Sequence, residues 1–275
     1  VENILFLEVF VFVVSVIGGT IGSMIGLGGA IIITPALVTF TNIPIHYAIG
    51  ASLVATICTS TATSIVSLKS HGLTKEKLGL FLAIGTAIGA IFGANLALSM
   101  SAKPLYIVFG SVLLVVLILS FRKRSDEVST KVHPMAEKLQ LNDSYTIKNK
   151  SYNYNIEHPI WGFISMLGAG FIGGLLGIGA GLFKVIAMDK IMKVPFKVSA
   201  STSNFIMGIT GFAAAITYYT SNSIDPTITA SVALGALLGA TIGSKVMPLL
   251  SPSVLRTMFF IVVLLATIQM ISKGF

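Results

Sequence analysis

The chain has 275 residues, 54% of them hydrophobic and 10% charged, with a mean hydropathy of +0.92. A soluble domain of this size could not hide that much apolar surface. The apolar runs are continuous rather than alternating, so a membrane β-barrel is excluded and an all-α polytopic membrane protein is expected, each span needing about 20 apolar residues. The formal charge of +8 would suggest nucleic acid in a soluble protein, but most Lys and Arg stand at the ends of apolar runs, where they report topology.

Val1-Glu2-Asn3 lacks the positive start of a signal peptide, so the first apolar run is expected to be retained. That run is interrupted by Gly22-Ser23-Met24-Ile25-Gly26-Leu27-Gly28-Gly29-Ala30. A glycine cluster weakens a helix, and irregular backbone at membrane depth is tolerated only where it is buried in protein or lines a cavity. The break is therefore read as one wall of a substrate site. It separates a segment over 4–25 from a short one over 30–40 that contains Pro35, and Pro44 marks the turn. The next segment, 48–68, carries Ser52, Thr56, Thr59, Ser60, Thr63 and Ser67 at three- and four-residue steps, one polar stripe. The alternative for these hydroxyls is bonding back to their own helix. The lone Cys58 allows no internal disulfide and reads as a small buried residue. After a loop holding Lys69, His71, Lys75 and Lys77, the segment 78–98 places Gly85, Gly89 and Gly93 on one face, where another helix can approach closely. Lys103-Pro104 opens the segment 105–121.

A polar stretch follows over 122–158. Within it Tyr145 and Ile147 precede Lys148-Asn149-Lys150, and Tyr152, Tyr154 and Ile156 follow. This alternation predicts a small β-hairpin, with an irregular loop as the alternative. The second half then repeats the first: 159–176, a second break at Gly173-Gly174-Leu175-Leu176-Gly177-Ile178-Gly179-Ala180-Gly181, 182–192, a turn at Pro195, then 198–219, 227–246 with Gly235, Gly239 and Gly243, and 254–271. Gly26 pairs with Gly177, Pro44 with Pro195, Ser52 with Ser203 and Thr59 with Thr210, all at one offset. The division is a first repeat over 1–121, a connecting loop or hairpin over 122–158, and a second repeat over 159–275.

Equivalent loops carry opposite charge bias. The loop with Lys69, Lys75 and Lys77 matches Thr220-Ser221-Asn222-Ser223-Ile224-Asp225, which has no basic residue. The neutral turn Thr41-Asn42-Ile43-Pro44-Ile45-His46 matches one with Lys190, Lys193 and Lys197. Short cytoplasmic loops collect Lys and Arg, so the repeats are expected to be inverted, with 122–158 cytoplasmic and both termini outside the plasma membrane. Segments 30–40 and 182–192 are short for spans at about 1.5 Å per residue, and read as half-helices or re-entrant arms.

A helix that starts after a break points unpaired N–H groups and a positive dipole end at it, which suits an anion. The expected substrate-binding residues are Gly26, Gly28, Gly29, Ser52 and Thr56 in the first half, and Gly177, Gly179, Gly181, Lys184, Ser203 and Asn204 in the second. Close helix packing is the other use of such glycines. Lys184 and Asp189 are charges inside an apolar run. An intramembrane charge marks function, so Lys184 is read as a neutraliser of bound anion, and Asp189, beside Lys190 near a segment end, as a solvated cap. Trp161 reads as an interface anchor. No paired His, carboxylate dyad or Ser motif with a partner stands inside the apolar runs, so no enzyme, metal or cofactor is expected.

The stretches Gly26-Leu27-Gly28-Gly29, Gly177-Ile178-Gly179-Ala180-Gly181-Leu182-Phe183-Lys184-Val185 and Val194-Pro195-Phe196-Lys197-Val198-Ser199-Ala200-Ser201-Thr202-Ser203-Asn204-Phe205 give the chain a family likeness. It resembles the TauE/SafE sulfite-exporter family, also called the toluene sulfonate uptake permeases, over nearly the whole membrane part. The resemblance implies secondary transport of sulfur-containing or organic anions such as sulfite, sulfonates or sulfoacetate. Members of that family often carry Pro two residues after the second-half Lys. Here Ile186 stands there, while Pro35 keeps the proline in the first half. The expected partners are a small anion and the bilayer, with a homodimer allowed and no nucleic acid. An alternating-access carrier is expected, with an anion channel on the same scaffold as the alternative.

Overall fold

The computed structural model describes residues 2–25, 28–69, 73–120, 133–147, 150–246 and 252–274. Gly26 and His71 lie outside the described residues. The first half folds as α1 (Glu2–Ile25), α2 (Ala30–Thr41), α3 (Ile45–Lys69), α4 (Glu76–Ser99) and α5 (Ala102–Ser120). A short α6 (Pro134–Lys138) and the strands β1 (Asp143–Ile147) and β2 (Lys150–Tyr154) follow. The second half is α7 (Pro159–Leu176), α8 (Gly181–Ile186) with a π-helical turn over Ala187–Ile191, α9 (Phe196–Thr220), α10 (Pro226–Val246) and α11 (Pro252–Gly274). Six of the described helices, α1, α3, α4, α5, α7 and α10, are long and apolar enough to cross a membrane. The protein is an all-α, multi-pass membrane fold with one small hairpin.

The short helices fold back along the helices before them. The Phe10 and Phe40 rings meet edge-on at 6.1 Å, and a methyl at Gly18 would lie 2.7 Å from Ile33, so α2 returns alongside α1. In the second half the Glu157 N–H donates to the Met192 carbonyl at 3.1 Å, and a methyl at Gly162 would lie 2.3 Å from the Met192 sulfur. The chain thus comes back from α8 to the place where α7 began. The two arms differ inside. Pro35 sits within a regular α2, closed by Asn42 in the left-handed region. In α8 the ladder widens instead after Ile186, where Met192 N–H reaches back to Ala187 O and Val194 N–H to Met188 O.

Each glycine ladder is filled by a backbone of the other half. A methyl at Gly89 would lie 2.0 Å from the Leu167 carbonyl, and one at Gly93 2.0 Å from that of Phe171, so α4 packs on α7 with nothing between them. Gly239 and Gly243 meet the Val16 and Thr20 carbonyls in the same way, packing α10 on α1. Further pairings are α3 with α10, α4 with α9, α3 with α9, and α5 with α11. Exchanging the halves maps α1 on α10 onto α7 on α4, and α3 on α10 onto α9 on α4. The remaining two pairings join equivalent helices, and both are antiparallel. On α3 and α9, Ser60 lies against Asn204 while Leu53 lies against Gly211. On α5 and α11, Gly110 meets Ile271 and Gly274 meets Ile107.

The tyrosine alternation forms the predicted hairpin, antiparallel with Tyr145 opposite Tyr152 and Asp143 opposite Tyr154. It is fastened to the bundle. Lys75 Nζ donates to Ser144 O at 2.5 Å and pairs with Asp143 at 3.2 Å. Lys77 Nζ donates to Gln140 at 2.6 Å. The buried Tyr154 and Ile156 join one apolar cluster with Leu78 and Leu82 of α4, Met166 of α7, Met188 in the π-turn and Val198 of α9. Burial, then the Asp143 carboxylate, push the Tyr154 phenol above its usual range.

Candidate functional site

Both breaks are built from residues that only glycine tolerates well. Gly28, Gly177 and Gly179 have φ values of +74°, +71° and +66°, in the left-handed region that a side chain strains. Gly22 makes room for the first turn: a methyl there would stand 2.5 Å from the Gly28 carbonyl carbon. Gly29 caps α2, accepting from the N–H groups of Ile32 and Ile33 at 3.0 and 3.1 Å. Gly181 is the first residue of α8, and Ala180 before it is itself left-handed at φ 49°.

The two breaks meet at Thr56 of α3. A methyl on Gly28 would lie 3.7 Å from Thr56, and one on Gly179 would lie 2.9 Å from it. The Thr56 hydroxyl stands 3.4 Å from the Gly177 carbonyl and 3.0 Å from that of Ser52. On the other side Gly179 faces Met207 of α9, with the sulfur 3.1 Å from a methyl placed there. Met207 holds in α9 the place that Thr56 holds in α3. The α3–α9 crossing therefore runs between the breaks, and Ser60 of α3 fastens it by donating to the Asn204 carbonyl.

Lys184 lies within this assembly. It is 0% exposed, and none of the ion pairs among the described residues involves it. A helical side chain leans toward its helix N-terminus, so the Lys184 ammonium is carried back toward the second break. There Nζ donates to Thr210 Oγ1 at 2.7 Å. Thr210 lies one turn beyond Met207 on α9. Its hydroxyl stands 3.0 Å from Thr86 Oγ1 of α4 and 2.8 Å from the Ile206 carbonyl, and Thr86 in turn donates to Ala83 O at 3.0 Å. Thr86 and Thr210 are 0% and 1% exposed. An ammonium carries three N–H donors, and one of Lys184's has an acceptor in the structure. Burying a charge without an opposite partner costs several kcal/mol.

The other expected residues divide. Ser203 Oγ donates to Gly181 O at 3.1 Å, tying α9 to the start of α8. Ser52 holds the equivalent place in the first half, fully buried, and its hydroxyl has no partner. Asn204 Oδ1 is likewise buried without a partner. Gly26 falls outside the described residues. The rest of the polar stripe turns largely back on itself: Thr59 bonds to Thr56 O at 3.1 Å and Thr63 to Thr59 O at 2.9 Å. Asp189 departs from a solvated cap. It is buried in the π-turn, 3.8 Å from Lys190. Trp161 is 63% exposed, as an interface anchor would be, and Cys58 is half-buried rather than buried. Thr86 was not among the expected residues. The ladder Gly85, Gly89, Gly93 drew attention to packing, and the hydroxyl beside Gly85 was the available signal.

The family model described as sulfite exporter TauE/SafE matches residues 11–270. The chain is similar to the probable membrane transporter protein YunE of Bacillus subtilis strain 168, 26% identical over 273 residues, covering 97% of this chain and 98% of that protein. It is also similar to the probable membrane transporter protein YdhB of the same strain, 27% identical over 243 residues, covering 88% and 91% of the two chains. A probable membrane transporter protein of Xylella fastidiosa strain 9a5c is 24% identical over 264 residues, covering 94% of this chain and 93% of its own. No solved structure gives a significant match. The match over residues 11–270, almost the entire membrane part, makes this chain a member of the sulfite exporter TauE/SafE family.

Proposed function

We propose that the protein is a secondary carrier of small sulfur-containing or organic anions, of the sulfite, sulfonate and sulfoacetate class, across the plasma membrane. One observation carries this reading: Lys184 is wholly buried beside a helix break, bonded to the Thr210 hydroxyl, with no counter-charge among the described residues. An anion supplies what the site lacks. The two halves are read as inverted repeats that rock about the α3–α9 crossing to expose the site alternately. The antiparallel pairing of α3 with α9 and of α5 with α11 supports inversion, because equivalent helices related by a two-fold axis in the membrane plane must run in opposite directions. The bias of the basic loops supports a cytoplasmic 122–158 with both termini outside.

The test is uptake into liposomes containing the purified protein. Saturable uptake of sulfite or a sulfonate is expected, and Lys184→Ala should lower it at least tenfold without loss of folded protein. Full uptake by Lys184→Ala removes the lysine from the site. A linear, non-saturating current would replace the carrier with a channel on the same scaffold.

A further inference from the structure

The charge inventory around Lys184 goes further than the general preference for anions. Every other lysine whose side chain is described stands at an end of its helix or in a connecting segment. Lys75 and Lys77 open α4, Lys103 opens α5, Lys197 opens α9, and Lys245 and Lys273 close α10 and α11. Lys190 and Lys193 lie in and just after the π-turn, beside Glu157, His158 and Trp161 at its outer end. None is classed as buried. The duplication could have supplied a second internal cation, but the residue of α2 at the place of Lys184 is Ile33, itself 0% exposed. The first half thus brings glycines and hydroxyls to the meeting point of the breaks, and the second half brings those and one lysine amine.

We infer that the site selects by charge number, accepting monovalent oxyanions and rejecting divalent ones of the same shape. This rests on the carrier reading above and narrows it. One ammonium neutralises one negative charge. The group it touches, Thr210, and Thr86 behind Thr210 are hydroxyls, which cancel no charge. A monoanion leaves the occupied site neutral. A dianion leaves one negative charge enclosed, at the same kind of cost that an unpaired buried ion carries anywhere. Of the anions proposed above, simple sulfonates and hydrogensulfite fit the rule, and sulfoacetate, like sulfate, does not. Thr86 and Thr210 then act as positioning groups. Their hydroxyls hold the ammonium in place through a chain that ends on the Ala83 carbonyl.

The experiment uses liposomes containing the full chain and two pairs of probes matched in shape at neutral pH: methanesulfonate against sulfate, and isethionate against sulfoacetate. Uptake of each monoanion should have a half-saturation concentration lower than that of its divalent partner by at least about tenfold, or the divalent partner should not be taken up. Lys184→Arg keeps one charge and should keep the preference even if uptake slows. Thr86→Val and Thr210→Val, which retain side-chain size, should weaken uptake of both monoanions by a similar factor and leave the preference for one charge intact. Equal or better uptake of sulfate and sulfoacetate overturns the charge rule while the carrier reading stands. Uptake of none of the four, nor of sulfite, overturns both.

Discussion

On the proposed reading Lys184 is the residue on which binding turns, and its energetics make a prediction opposite to that for an ordinary core contact. A buried lysine amine with one hydrogen bond and no counter-ion among the described residues is a cost to the empty protein, above all when charged. Replacing such a charge by an apolar side chain of similar volume is commonly neutral or stabilising. Lys184→Met should therefore leave the thermal midpoint of the detergent-solubilised protein unchanged or raise it by up to about 5 °C, while abolishing uptake. A fall of the midpoint by a similar amount would mark Lys184 as a structural residue. The lysine itself was legible in the sequence, because it is a charge inside a short apolar run that follows a glycine break. Its hydroxyl partners were less so. Thr210 lies on a helix rich in Ser and Thr, most of which bond locally, and nothing in spacing alone separates Thr210 from them. Thr86 comes from the other half of the chain, and only tertiary packing sets it beside Thr210.

At the scale of the helix, the glycine ladders fix how closely the halves approach. Gly89→Ala would push a methyl to 2.0 Å from the Leu167 carbonyl. Neither backbone can yield without parting α4 from α7, so a cost of ~2 kcal/mol or more is expected, read as a lower thermal midpoint and poorer yield. Gly168 is on α7 too, and a methyl there meets nothing within 4 Å. Gly168→Ala should be neutral or stabilising by up to ~1 kcal/mol. Equal effects of the two substitutions would refute the packing account. The four-residue spacing announced a close helix contact, but not its partner. Sequence neighbours offered α3 or α5, and the structure instead sets each ladder on the first helix of the opposite half. The break geometry was similarly half-visible. Gly28, Gly177 and Gly179 could be read as places where a helix stops, whereas their meeting at Thr56 depends on how α3 crosses α9. The π-turn after Ile186 had a faint signal in the missing proline.

For the whole molecule, the pairings that survive exchange of the halves suit a machine with two equivalent ends, and the lysine found in one half only makes the interior unequal. On the inverted reading, loops at equivalent places face opposite sides of the membrane. With Cys58 replaced by Ser, a single cysteine at Ser221 should react with a membrane-impermeant maleimide added to intact cells. One at Tyr152 on the hairpin should react only after the membrane is opened. Reaction of both in intact cells would break the inverted arrangement. This expected layout rests on lysine bias, which sequence composition alone displays. The fastening of the hairpin by Lys75, Asp143 and Tyr154 was not legible there, since it joins segments remote in the chain.

The account stands or falls on whether the place where the broken helices meet holds an anion through Lys184. Titration calorimetry of the purified protein with methanesulfonate and with sulfite measures this without any assumption about transport. Saturable binding to the wild type and to Gly168→Ala, with none to Lys184→Met, is the predicted result. Binding of equal strength to Lys184→Met, or no binding to any of the three, would contradict it.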